Sequence, residues 1–221
     1  MRIGITERGD ASIDYTWMSK VSSMDGTILI TKNLTDKFIQ TVVNLHSNGT
    51  RLIVHATCTG WGSTAFEPNV HEYKWQLAQL KKLIDTGFPA SHCVLRIDPI
   101  FPTENGLRRV REVLQEFKRL DTDVKRIRIS VYDEYRHVKE RLKAKGYQPY
   151  YGDRFYANSQ QMLSVANTLS LGMAAGMQRM PLERPTTNTR NHDTTASTAM
   201  TGANRSFKRK RISFSSIRFV L

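Results

Sequence analysis

The sequence predicts an α/β protein, specifically a partial (β/α) TIM-type barrel with parallel strands. Over residues 1–171, apolar and β-branched segments alternate with amphipathic ones across short loops, which is typical of repeated right-handed βαβ units. Polar side chains also follow every predicted strand at its carboxyl end, and a barrel directs all such ends toward one mouth. Roughly 170 residues are few for eight units, so we expect an incomplete barrel.

Five segments have the composition of buried strands, and six between or after them have helical periodicity. Asp14 and Thr35 are the expected N-caps of the first two helices. Pro99 has no N–H, so we expect the ladder of the fourth strand to stop there. The predicted strands are residues 2–8, 27–31, 51–58, 92–100 and 126–131, and the predicted helices are 14–24, 35–49, 69–85, 106–120, 134–145 and 158–171.

A doubly wound sheet is the alternative architecture, because it is built from the same βαβ units. Such a sheet concentrates its site at one switch point instead of using every strand end. No Gly-x-Gly-x-x-Gly follows the first strand, and the sequence contains no Walker loop. These observations favour the barrel.

Composition restricts the classes of function. The chain has 221 residues, a formal charge of +13 and only two cysteines, Cys58 and Cys93, which are too few for a disulfide framework or a four-thiolate metal site. We expect both to be buried reduced thiols and expect no metal site. No apolar run approaches the roughly 20 residues that span a bilayer, and no signal peptide is recognised, so we expect a cytoplasmic protein without a membrane partner.

The composition changes after Leu171, which divides the chain into a barrel of residues 1–171 and a tail of residues 172–221. The tail is rich in Thr, Asn and Arg and has little apolar periodicity, so we expect it to be flexible, with a short strand at 212–220. Its basic run is either a solvated segment or a nucleic-acid contact. The expected contact residues are Arg205, Lys208, Arg209, Lys210 and Arg211.

The centre of the predicted site is the pair Arg96 and Asp98 in the fourth strand. Two residues apart, they share one face of the strand, and charges in a buried strand are costly unless paired or used. One interpretation is a ligand site, in which Arg96 holds a carboxylate or phosphate and Asp98 accepts from a hydroxyl. The other is a structural ion pair inside the barrel.

Other strand ends and loops add candidate ligand-binding residues. Lys32 and Asn33 end the second strand, where binding of a substrate or cofactor carboxylate is favoured over a merely solvated lysine. Trp61 lies between two glycines and is a candidate for stacking on a base. Glu67 either caps the third helix or reaches a ligand amine, the cap being favoured, and Glu134 either lines the mouth or stabilises the positive N-terminus of the next helix. The remaining candidates are Arg8, Asp10, Ser130 and Tyr132.

Four motifs in register resemble those of a family of radical-SAM-like barrels found in bacteria and phages, itself distantly similar to spore photoproduct lyase. The motifs are Thr31-Lys32-Asn33, Gly60-Trp61-Gly62 with Glu67-Pro68, Arg96-Ile97-Asp98-Pro99-Ile100, and residues 129–135. Arg8-Gly9-Asp10 stands where the family has an Arg…Asp pair. The resemblance covers residues 1–170 and implies a partial barrel that holds S-adenosylmethionine and a 4Fe–4S cluster across the strand ends.

The cysteines depart from this family, whose members carry theirs after a helix that resembles residues 159–169. No cysteine follows Leu171, and Cys-x-x-x-Cys-x-x-Cys is absent from the sequence. A cluster with one open iron needs three thiolates, so we do not expect these residues alone to hold one.

Two functions therefore remain open. The first is a radical-SAM-like protein that binds S-adenosylmethionine or a nucleoside-like ligand through Lys32, Asn33, Arg96, Asp98 and Tyr132, with a nucleic acid as its substrate. The second is a non-catalytic binding or structural protein that uses the barrel as a scaffold and the basic tail to contact nucleic acid or an assembly.

Overall fold

A computed structural model describes residues 1–7, 9–173 and 216–220, the last segment and Met173 by their backbone. The described chain forms a six-stranded sheet in which the strands lie side by side in the order of the sequence. Strands β1 to β5 are parallel, and β6 pairs antiparallel with β5. The strands are β1 (Ile3–Ile5), β2 (Gly26–Thr31), β3 (Leu52–Thr57), β4 (Cys93–Ile100), β5 (Arg126–Val131) and β6 (Ser216–Val220).

The sequential strand order confirms the partial barrel and excludes the doubly wound alternative. A doubly wound sheet reverses its strand order at a switch point, whereas here the order never reverses. Five parallel strands and their connecting helices form a half-barrel. The helices are α1 (Met18–Val21), α2 (Asp36–Ser47), α3 (Tyr73–Asp85), α4 (Glu104–Arg119), α5 (Arg136–Ala144) and α6 (Ser159–Met173).

The two faces of the sheet have different chemistry because side chains alternate along each strand. In β4, Leu95 and Ile97 are fully buried in the apolar core formed with the helices. Arg96 and Asp98 occupy the other face, where both are partly exposed. Phe38 of α2, Leu77 of α3 and Val113 of α4 belong to the same core, so the helices cover only one face.

The first helix differs from its prediction. It spans Met18–Val21 alone, with Trp17 at the N-cap position. The Asp14 carboxylate instead accepts a hydrogen bond from the Thr16 backbone N–H at 2.9 Å, which closes a turn two residues downstream. Asp14 therefore forms a local turn, whereas Thr35 caps α2 as predicted, through its hydroxyl and the Phe38 N–H.

Pro99 does not end the fourth strand, which continues through it to Ile100. The pairing of β4 with β5 shifts register between Ile97 and Ile100, and the Asp98–Pro99 peptide bond is cis. A proline is accommodated at such an irregularity because the ladder does not need its missing N–H there.

Part of the predicted tail strand is present. Ser216–Val220 forms β6, and Ile217 pairs with Ile129 of β5. The basic run that includes Arg205 and Arg211 lies outside the described residues, as does the remainder of 174–215. Within the described part of the chain, no helix has the length and apolar character needed to cross a membrane.

Candidate functional site

The carboxyl ends of the parallel strands surround an open cavity of about 440 Å³. We call it the mouth cavity. Its volume lies within the range of about 300–1,000 Å³ that is usual for small-molecule sites. Its lining side chains come from the end of each of β1 to β4, the position at which barrel proteins place their sites. They are Thr6, Glu7, Gly9, Asp10, Ile30, Thr31, Lys32, Thr57, Arg96 and Asp98.

Arg96 and Asp98 form an ion pair in this cavity, joining Arg96 Nη2 to Asp98 Oδ2. Ser130 of β5 donates its hydroxyl to the other carboxylate oxygen, Asp98 Oδ1. The Arg96 and Asp98 side chains are 19% and 20% exposed, so solvent still reaches the pair. The sheet therefore unites these three predicted residues in one hydrogen-bonded group.

Lys32, which follows β2, also lines the cavity and pairs with Glu67. Lys32 Nζ contacts Glu67 Oε1, and the Thr59 hydroxyl donates to Glu67 Oε2. Glu67 was expected to cap the third helix, and that expectation is wrong, because α3 begins at Tyr73 with Glu72 as its N-cap residue. The loop between β3 and α3 folds back and brings the carboxylate to the end of β2.

Asp10 borders the cavity, and its carboxylate accepts four hydrogen bonds from the surrounding chain. The donors are the Ser12 N–H at 2.9 Å, the Ser12 hydroxyl at 2.8 Å, the Thr31 hydroxyl at 2.6 Å and the Lys32 N–H at 2.6 Å. The first three of these donors share Oδ1, and the Lys32 N–H alone binds Oδ2, which therefore retains an acceptor position. Asp10 thus holds the chain after β1 against the end of β2.

Several predicted residues lie away from the mouth cavity. Trp61 is 7% exposed and packs edge-on against Phe66 and Phe101, at centroid distances of 4.9 and 5.7 Å, with the Arg109 guanidinium 5.7 Å from its ring centroid. These contacts leave little of the ring for stacking on a base. Asn33 is not among the lining residues, and its Oδ1 is buried without a hydrogen-bond partner. Arg8 lies outside the described residues.

Tyr132 and Glu134 belong to a buried cluster beside the site. Glu134 is 0% exposed and accepts from the backbone N–H groups of Tyr150 and Tyr151 at 2.8 and 2.9 Å. Glu134 is not among the residues that line the mouth cavity, and its carboxylate binds the backbone of the segment after α5. The Tyr132 hydroxyl lies 3.5 Å from Glu134 Oε1, and burial together with the Glu134 charge raises the pKa of Tyr132 to about 12.

Two buried polar atoms of the mouth cavity have no hydrogen-bond partner. They are Arg96 Nε and Thr57 Oγ1. Thr57 and Arg96 are directly paired across β3 and β4, so their side chains emerge on the same face. A buried donor without a partner is unfavourable by about 1–3 kcal/mol, which makes such atoms candidates for ligand contact. Thr57 was not among the site residues predicted from the sequence. A hydroxyl residue at the carboxyl end of an apolar strand would have indicated it as a candidate.

The described residues do not fit an iron–sulfur cluster. Both thiols are free and buried, and burial raises the pKa of Cys58 and of Cys93 to about 12. Cys93 pairs with Val54, four residues before Cys58, so the thiols lie near opposite ends of the sheet, roughly 13 Å apart along the strands. Among the described residues, no group of three or more His, Cys, Asp or Glu side chains has a metal-binding arrangement.

The fold and the cavity together define a half-barrel protein with a polar site at the carboxyl ends of its parallel strands. The chain belongs to the family described as Domain of unknown function (DUF1848), whose model matches residues 12–211. No curated protein matches the chain.

Among solved structures, a cysteine-to-alanine mutant of spore photoproduct lyase is similar at 14% sequence identity with a TM-score of 0.49. The match covers 74% of this chain and 53% of that one, so the chain spans about half the length of the structure it matches.

Proposed function

We propose that the mouth cavity binds a small nucleoside-like ligand that carries an anionic group, with S-adenosylmethionine as the first compound to test. The observation that supports this proposal is the pair of partnerless buried atoms, Arg96 Nε and Thr57 Oγ1, in side chains that line one open cavity. A ligand that accepts from Arg96 and bonds to the Thr57 hydroxyl would remove both unsatisfied groups. The motif resemblance of residues 1–170 suggests the choice of compound.

The cavity lining carries charges of both signs, namely two cations, Lys32 and Arg96, and three carboxylates, Glu7, Asp10 and Asp98. A ligand that suits it therefore combines an anionic group with hydroxyl or cationic groups. Arg96 and Lys32 supply two cations, and a guanidinium binds a carboxylate or phosphate through parallel N–H donors. Asp98 is an acceptor-only group that suits the hydroxyls of a sugar. Glu67 pairs with Lys32 and offers its carboxylate to a ligand amine. In this proposal, Arg96 and Lys32 hold the anionic group while Asp98 orients the sugar.

Radical chemistry is not part of this proposal. One-electron cleavage of S-adenosylmethionine needs a reducing cluster, and this chain offers two cysteines at distant positions in the sheet. The proposal is accordingly restricted to binding by these residues.

Isothermal titration of the full chain with S-adenosylmethionine, adenosine and methionine tests the proposal. We expect binding of S-adenosylmethionine that weakens at least ten-fold in Arg96→Gln, because the guanidinium contact with an anion is lost. Arg108→Gln removes an equal charge from the exposed side of α4 and serves as the matched control. Absence of heat with all three compounds, or equal binding by both variants, would contradict the proposal.

The second candidate is a non-catalytic binding or structural protein, and the separation of Cys58 from Cys93 favours it. The titration with S-adenosylmethionine distinguishes the two candidates, because neither requires a cluster in this chain. Anaerobic reconstitution with iron and sulfide is a separate test, in which visible thiolate-to-iron absorption would contradict the restriction to binding. Retention on DNA that depends on salt and is lost on deletion of residues 205–211 would support the tail contact.

A further inference from the structure

A basic and aromatic surface is formed by α5 and the segment that follows it. We call residues 135–156 the α5 surface. Six of its residues are Lys or Arg and two, Glu140 and Asp153, are carboxylates. Its single histidine is left out of this count. The cations are Arg136, Lys139, Arg141, Lys143, Lys145 and Arg154. This positive excess lies in the folded half-barrel and is separate from the basic tail.

The core does not account for the composition of this helix. α5 has no buried residue, whereas α4 has five, four of them with apolar side chains. Arg136 pairs with Glu140 at 2.8 Å, but within the described part of the chain neither Arg141 nor Lys143 forms a salt bridge. Both are exposed. An exposed cluster of uncompensated cations attracts polyanions, since phosphate contacts release counterions.

Aromatic rings are exposed among these cations. Tyr135, Tyr147, Tyr150 and Tyr156 are 51%, 63%, 43% and 44% exposed. Four tyrosines within 22 residues thus leave roughly half of each side chain open to a partner, which gives this surface an aromatic character. Their phenol rings have flat faces on which a nucleic-acid base stacks.

Internal contacts hold these rings in place before any partner arrives. The Tyr135 ring packs edge-on against Phe155 at a centroid distance of 4.8 Å, and Phe155 packs against Tyr156 at 4.6 Å. Lys139 Nζ donates to the carbonyl oxygens of Gly152 and Arg154 at 2.6 and 2.8 Å, which ties the segment to α5. A preorganised surface loses less conformational entropy on binding.

We propose that the α5 surface binds single-stranded nucleic acid, with bases stacked on Tyr135 and Tyr156 and phosphates held by Arg141 and Lys143. Interleaved rings and cations are the combination that single-strand binding requires, because an unpaired strand exposes both its bases and its backbone. An acidic protein would use the cations but not the rings. An anionic membrane would favour a longer apolar helix face than α5 offers, since its nine residues include only Val138, Leu142 and Ala144 as apolar residues.

The position of this surface relates it to the mouth cavity. α5 begins five residues after β5 ends, so its first turn lies on the side of the sheet where the strands end. A strand bound along α5 would therefore pass near the mouth. The inference does not depend on the nature of the small ligand, because none of its residues lines the mouth cavity.

Fluorescence anisotropy of a labelled oligothymidylate of about 20 nucleotides, titrated with the full chain, tests this proposal at several salt concentrations. The double variant Arg141→Gln/Lys143→Gln is expected to bind about ten-fold more weakly. Its salt slope should also be smaller by about 1.4, since each lost single-strand phosphate contact removes about 0.7. The affinity of the double variant Tyr135→Ala/Tyr156→Ala for the oligothymidylate is expected to fall about five-fold or more for each ring removed. The dependence of its binding on salt should stay unchanged.

A matched control removes two charges from another exposed helix. Arg108→Gln/Arg119→Gln alters the solvent side of α4, where both arginines pair with glutamates, and it is expected to keep the affinity. Circular dichroism melting of every variant checks that the fold persists.

Four outcomes would overturn the proposal. The first two are an equal loss of affinity in the control and the α5 charge variant, and an unchanged affinity in the tyrosine variant. The third is a duplex of the same length that binds as tightly as the single strand. The fourth is polyglutamate, or vesicles with anionic lipid, that compete as well as an unlabelled single strand. Loss of all binding on deletion of residues 205–211, with no effect of the α5 variants, would assign the affinity to the tail instead.

Discussion

Thr57 on β3 lies directly opposite Arg96 on β4, and each of these two residues places one buried polar atom without a partner beside the mouth cavity. The pairing is a consequence of the parallel register, in which residues opposite each other project to the same face. The two side chains thereby line the same open space, each with one buried polar atom. This relationship leads to the first prediction.

Thr57→Val should separate stability from ligand binding. Valine has nearly the shape of threonine but no hydroxyl, so the variant removes a buried group that has no hydrogen-bond partner in the free protein. We expect its free energy of unfolding to stay equal or to rise by about 1 kcal/mol, and its affinity for S-adenosylmethionine to fall about five-fold. Urea denaturation and isothermal titration measure the two quantities. A large loss of stability would mean that the hydroxyl has a structural partner.

Glu134→Gln should destabilise the segment that follows α5. The amide retains one acceptor oxygen and faces the second N–H, of Tyr150 or Tyr151, with its own NH₂ donor. We expect a loss of about 2 kcal/mol in the free energy of unfolding, with faster hydrogen exchange at these two amides. Glu140→Gln, which alters an exposed carboxylate of α5, is the control and should change stability by about 0.5 kcal/mol or less. Equal behaviour of the two variants would refute a structural role for Glu134.

Asp133→Asn should stabilise the protein at neutral pH and not in acid. Burial and the Asp98 charge raise the pKa of the Asp133 carboxyl in the folded state. A raised folded-state pKa means that the charged form opposes folding, so the folded protein loses stability as the pH rises through that pKa. The neutral amide avoids this loss near pH 7, whereas below the unfolded pKa of about 3.8 both side chains are uncharged and the difference should vanish.

Urea denaturation at several pH values measures this dependence. Asp123→Asn is the control, because Asp123 is 82% exposed and an asparagine also tolerates its positive φ of 57°. A stabilisation by Asp133→Asn that is independent of pH would point to packing instead of charge.

Cys58 and Cys93 should resist thiol reagents in the native protein. At pH 8, a thiol with a pKa of about 12 is ionised to only about one part in ten thousand, and burial also blocks access. We expect no native labelling by a maleimide over hours and two labels per chain in denaturant, counted by mass spectrometry. Rapid native labelling of either cysteine would show an opening that exposes the sheet interior.

The sequence was a reliable guide to the elements of the half-barrel and to residues related by strand periodicity. Arg96 and Asp98 were placed on one face because alternation is a property of the local backbone, and they form an ion pair there. The convergence of Lys32 and Arg96 on one cavity followed from the parallel topology. The prediction for the first helix was too long, because the Asp14 carboxylate closes a turn instead of capping a helix. The two arrangements have the same appearance in the sequence.

The residues in loops could not be placed in this way. Glu67 reaches Lys32, Trp61 is covered by Phe66 and Phe101, and Glu134 binds the backbone of Tyr150 and Tyr151. Each of these contacts depends on how an irregular segment folds over the ends of the strands. Such segments lack the residue periodicity from which the facing side chains of helices and strands are predicted.

The sequence by itself determined the alternation of strands and helices, the polar strand ends and the shortage of thiols, because these depend on local periodicity and composition. Only the tertiary structure decided which cation neutralises each carboxylate, which rings are covered and which buried polar atoms are left without a hydrogen-bond partner. Those outcomes are set by distances between segments far apart in the chain, and such distances exist only once the sheet and its loops have packed.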